Sequence, residues 1–114
     1  MKRLFLFLFV AVLSSCSVKL ITPTQTDVDR VSGKYNGYTL TDLTAGKALY
    51  EQKCSQCHSL KDPSKQTEEQ WTKLVPDMAH KSAVKPDVIK ITDKDQDLIL
   101  KYLVTMSTAP KPVK

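Results

Sequence analysis

Five consecutive residues hold most of the chemistry this chain can do. Cys54-Ser55-Gln56-Cys57-His58 sets two thiols three positions apart and an imidazole directly after the second. Three chemistries use such a group. The thiols can cycle between dithiol and disulfide. They can form half of a tetrahedral zinc site. They can also each add across one vinyl group of a porphyrin. The spacing matches the separation of those vinyl groups at the ring edge. His58 is then placed beneath the ring, able to give a nitrogen to iron; C-x-x-C-H is the attachment pattern of c-type haem. The dithiol reading calls for a βαβ setting that the sequence does not offer, and it leaves His58 without a role. The zinc reading needs a second ligand pair, and only His80 remains. The haem reading employs all three side chains.

Iron held by His58 has a second axial position. Met78, His80 and Met106 are the candidates for it. Methionine there favours the reduced form more than a second histidine does. Met106 follows Tyr102 by four residues and reads as core, while His80 reads as a surface histidine.

The N-terminus carries a different signal. Met1-Lys2-Arg3 is a short positive segment, and Leu4 to Leu13 is an unbroken apolar run. Such a run is too short to span a bilayer but suits the apolar centre of an export signal. Leu13-Ser14-Ser15-Cys16 resembles the box that precedes the modified cysteine of bacterial lipoproteins. That resemblance implies cleavage after Ser15, a diacylglycerol on Cys16 and a chain held at a membrane. It gives each of the three cysteines a fate other than a disulfide.

The elements that must position the motif are helical. Residues 1–15 are read as the signal peptide and 16–41 as a flexible tether, polar and proline-containing around Thr22–Thr26, with a turn at Asn36-Gly37. Residues 42–107 are the expected domain, and 108–114 a disordered tail. A first helix is expected from Thr41 or Asp42 to Lys53. Thr67-Glu68-Glu69-Gln70 fits a capping box, and Trp71, Leu74, Val75 and Met78 follow at helical spacing. Pro76 interrupts that stripe, so the regular helix is expected to end or kink near Val75. A third helix opens at Thr92-Asp93-Lys94-Asp95 and carries Leu98, Ile99, Tyr102, Leu103 and Met106 on one face. No strand pattern or internal repeat is present. The fold class is all-α, three to four helices.

On these residues the chain resembles a small class I c-type cytochrome from Leu43 to about Leu103. The resemblance rests on Gly46 and Tyr50, on the Cys54–His58 motif, on the Trp71…Met78 helix, and on Ile99 with Tyr102. It implies a domain wrapped around one covalent haem c, with the first and last helices crossing closely at Gly46. It also implies a distal methionine before the final helix, which favours Met78 over Met106 and His80. Without it, Gly46 would read as a defect costing ~1 kcal/mol relative to alanine.

Composition narrows the function. The chain has 114 residues, 41% hydrophobic and 7% aromatic, and a net charge of +5. A core of that make-up is marginal unless a bound cofactor adds to it. Leu43, Leu49, Trp71, Leu74, Val75, Leu98, Ile99, Tyr102 and Leu103 are its candidate walls. The lysines are scattered and not interleaved with aromatics, which argues against nucleic acid. The expectation is a non-enzymatic, lipid-anchored carrier of single electrons facing the periplasm of a bacterial cell. Its partners would be redox proteins: a respiratory complex, an oxidase or a periplasmic dehydrogenase. It would act as a monomer or as a subunit of a redox complex. The alternatives are a haem-based gas sensor or small haem enzyme with an open sixth position, and a structural lipoprotein or thiol-redox module.

Overall fold

The computed structural model describes residues 18–113. The expected signal peptide and the expected lipidation site, Cys16, lie outside the described residues. Within them the fold is all-α: α1 spans Gln25–Arg30, α2 Leu40–Leu49, α3 Glu68–Val84 and α4 Asp93–Ser107. A π-helical turn, Tyr50–Cys54, continues α2, and a short 3-10 turn, Pro63–Lys65, precedes α3. Among the described residues no helix is long and apolar enough to cross a membrane.

One local device starts all four helices. Thr24, Thr39, Thr67 and Thr92 are the N-caps, and each forms a capping box with the residue three further on: Asp27, Asp42, Gln70 and Asp95. The side chains exchange bonds with backbone N–H groups that have no helical partner. The first long helix therefore starts at Thr39, ahead of the expected Thr41 or Asp42, because Asp42 is the third residue of a box and not the cap itself.

α2 and α4 form the central crossing. A Cβ built on Gly46 would lie 2.3 Å from the Leu98 carbonyl oxygen and 2.8 Å from Tyr102 Cβ. Only a glycine allows that approach. Leu43, Ile99, Leu103 and Tyr102 are almost fully buried around it. α3 packs on α4 through Val75 and Ala79, and Trp71 anchors its first turn by donating Nε1–H to the Pro63 carbonyl at 2.9 Å.

Two expectations are corrected. α3 runs through Pro76 without a break. Proline removes the bond to the carbonyl of Thr72, but both Pro76 and Thr72 face solvent, so water can serve that carbonyl. Nor are the described residues of the expected 16–41 tether, 18–41, free of the domain. Leu20 and Ile21 pack against the core, Pro23 is buried, and α1 lays Val28 and Val31 onto the domain. Arg30 completes the dock by donating to the Thr105 carbonyl (3.0 Å) and Thr108 Oγ1 (2.7 Å) at the end of α4. The expected turn at Asn36-Gly37 is present, with Gly37 at φ 73°. At the C-terminus, Ala109 packs on the core, and the residues from Pro110 to Val113 are exposed without a regular element.

Candidate functional site

The motif follows directly from α2. The π-helical turn widens the helix by one residue per turn, a feature frequent at functional sites. Side chains then cover the carbonyls left at this frayed end. Ser55 Oγ donates to Glu51 O, and Gln56 Nε2 donates to Lys53 O at 2.9 Å. Tyr50 is the pivot. Its hydroxyl accepts from Lys61 N at 3.0 Å and donates to Lys61 O at 2.8 Å. Its ring stands edge-on to Trp71 at 6.3 Å and tilted against Tyr102 at 5.8 Å. Burial pushes the Tyr50 hydroxyl up to about 12, so it stays a neutral donor. The loop after the motif is thus tied to the base of α2.

Two adjoining clefts meet at the motif. The smaller, about 140 Å³, is lined by Tyr50, Cys54, His58, Lys61, Trp71, Leu74, Asp77, Met78 and Lys81. The larger, about 290 Å³, is lined by Lys53, Cys54, Cys57, His58, Met78, Lys81, Ser82, Lys85, Val88 and Ile91. Cys54, His58, Met78 and Lys81 belong to both. The larger cleft stands near the lower limit, roughly 300 Å³, of sites that take organic ligands.

The expected site residues therefore separate cleanly. Cys54, Cys57, His58 and Met78 converge on this double cleft. His80 is exposed on α3 and lines neither part. Met106 is 5% exposed within the core and lines neither part either. α3 brings Met78 in because Trp71, Leu74, Met78 and Lys81 recur at intervals of three and four, which puts them on one face. That stripe survives because the helix continues through Pro76.

Each donor is chemically suited to hold a haem. Cys54 and Cys57 are both free thiols, Cys54 buried and Cys57 exposed. Burial, with some help from Cys57, pushes the Cys54 thiol up to about 11. His58 Nδ1 lies 2.8 Å from the Ser59 carbonyl. A carbonyl can only accept, so that nitrogen carries the proton and the lone pair sits on Nε2, the form in which imidazole binds a metal. Met78 is half-buried, with an uncharged sulfur. Among the described residues no three His, Cys, Asp or Glu side chains gather to hold a bare metal ion. A porphyrin iron asks for axial donors alone.

The sequence reading missed part of the lining. Lys81 follows Met78 by three residues and was legible from that spacing. Lys53, Lys85, Val88 and Ile91 were not, since the chain from Lys85 to Ile91 has no period. Compared with known proteins, the chain matches no family model, no curated protein and no solved structure.

Proposed function

We propose that this chain is a monohaem c-type cytochrome, anchored by lipid at Cys16 to a bacterial membrane, that passes single electrons between redox proteins on the periplasmic side. The observation that supports this most is the convergence of Cys54, Cys57, His58 and Met78 on one double cleft whose walls include Tyr50, Trp71 and Leu74. In this reading Cys54 and Cys57 would hold the haem through two thioethers, His58 Nε2 and Met78 Sδ would be the protein's donors to its iron, and the haem would supply one-electron redox chemistry.

The residues have distinct duties. The Ser59 carbonyl keeps His58 in the tautomer that presents Nε2. Tyr50 and Trp71 close the apolar wall against water, which holds the local dielectric low and tunes the potential. Exposed Cys57 and His58 put the motif's edge at the surface, where a partner can approach without a large interface. Lys61 and Lys85 add positive charge to the cleft rims, while Lys81 is paired with Asp77; that charge would speed encounter with acidic partners.

The test is to produce the chain in a host with a haem-attachment system. The mature protein should gain the mass of one haem, retained after denaturation, and Cys54→Ala with Cys57→Ala should abolish it. A mature mass equal to polypeptide plus lipid would end the proposal. Rapid carbon monoxide binding to the reduced protein would instead indicate an open sixth position and the gas-sensing alternative.

A further inference from the structure

The wall of the larger cleft between Lys85 and Ile91 is held in an unusual way. Its apolar side chains fix it only in part: Ile91 packs against the core, but Ile89 is 51% exposed and the preceding Val84 is 72% exposed. Only Val88 and Ile91 turn toward the cleft. What holds it is a set of polar side chains gripping its backbone. Gln56, from within the Cys54–His58 motif, pairs with Ile89 as a strand would. Ile89 N donates to Gln56 Oε1 at 2.8 Å, and Gln56 Nε2 donates to Ile89 O at 3.2 Å. Lys53 Nζ donates to Lys90 O at 2.8 Å while paired with Asp95. Ser82, buried on α3, offers Oγ to Ile91 N at 3.4 Å. Lys90 Nζ turns back onto the carbonyls of Ser82 and Ala83 at 2.8 and 3.0 Å.

We propose that Gln56 is a positioning residue: it latches the Lys85–Ile91 strap shut against the Cys57 side of the cleft and so controls access to the Met78 face of the metal site. The second half rests on the reading of the cleft as a haem site; the first does not. A strap tethered by backbone bonds, with little apolar burial, opens as a local unit when those bonds are removed. Within the motif, Gln56 grips the strap's backbone at Ile89, while Cys57 Sγ only meets the Lys85 side chain at 3.7 Å. Gln56 therefore ties the strap's closure to the segment that carries Cys57 and His58.

The experiment compares the mature wild-type chain with Gln56→Ala, and with Gln56→Glu, which keeps the acceptor for Ile89 N. Without haem, amide exchange at Ile89 and Ile91 should speed up about tenfold in Gln56→Ala, the scale set by losing a pair of hydrogen bonds. Alkylation of buried Cys54 should rise with it, relative to exposed Cys57. In the haem-loaded protein, imidazole should bind the ferric iron faster by a similar factor, and Gln56→Glu should fall between the other two. Unchanged exchange and Cys54 alkylation would overturn the latch. Faster exchange with unchanged imidazole entry would overturn the control of access. A chain that takes up no haem would defeat the electron-carrier reading, while exchange and alkylation would still decide the latch.

Discussion

At the scale of single residues, the motif and the glycine carry the most weight. Met78 is the one candidate for the distal position that lines both clefts. Met78→Ala in the haem-loaded protein should remove the sulfur-to-iron charge-transfer band and lower the potential, since methionine ligation raises it. Met106→Ala should leave both in place. If the two variants behave in the opposite way, the ligand is Met106. Gly46 makes a second test. Alanine is the better helix former by about 1 kcal/mol, yet its Cβ would strike a backbone oxygen 2.3 Å away. Overpacking against backbone outweighs propensity, so Gly46→Ala should cost about 2–3 kcal/mol net in denaturant unfolding. An unchanged midpoint would show that α2 and α4 can move apart freely. Both residues were legible in the sequence, Met78 from its helical stripe and Gly46 from its match to a known crossing. Gln56 was not, because its partners at Ile89 are far along the chain and in a segment without period.

At the scale of elements, legibility followed whether a start signal was backed by a long apolar stripe. Thr67 and Thr92 precede fifteen residues or more of helix, and the box at Thr67 and the helix start at Thr92 were read directly. Thr24 and Thr39 use the same box with aspartate at its third position, but α1 is only six residues long. Six residues are too few to display a helical period, so α1 passed for linker. Pro76 misled in the opposite direction. Proline in a helix interior costs up to about 3 kcal/mol relative to alanine, and here packing on both sides keeps the helix unbroken against that cost. Trp71, Val75 and Ala79 are all buried on the same run. Pro76→Ala should restore the bond to Thr72 and stabilise the fold by about 1–2 kcal/mol, less than the full propensity difference because proline also restricts the unfolded chain. A lower melting temperature in Pro76→Ala would show that the proline's restriction of the unfolded chain outweighs the bond it removes.

At the scale of the whole molecule, acid should unfold the domain by releasing its carboxylates. Lys53, donating to Asp95, holds that carboxyl below the usual range. Burial works to raise Asp27, but bonds from Thr24 and Arg30 outweigh it and leave the group lowered. Ser64 lowers Asp62 in the same way. Each is more acidic folded than unfolded, so each contributes stability that is complete above the ordinary carboxylate value of about 3.9 and fades as pH falls through the lowered folded value. Thermal midpoints should hold from pH 7 to about 5 and drop steadily below about 4. Asp95→Asn should flatten that drop in part. An equally steep drop in the variant would remove Asp95 from the account.

Leu20 already packs on the domain, and this governs how far the protein could reach. A lipid on Cys16 would leave four peptide steps of slack, roughly 14 Å at full extension. The domain would ride on the headgroups as a moored boat does, and would not sweep through the periplasm to meet distant carriers. Its electron donors and acceptors would then have to share the plane of the bilayer. Splicing a long Gly/Ser leash after Val18 should lift it clear, read as weaker energy transfer from a headgroup dye to the haem. No change on lengthening would mean that something other than the N-terminus sets the height of the domain.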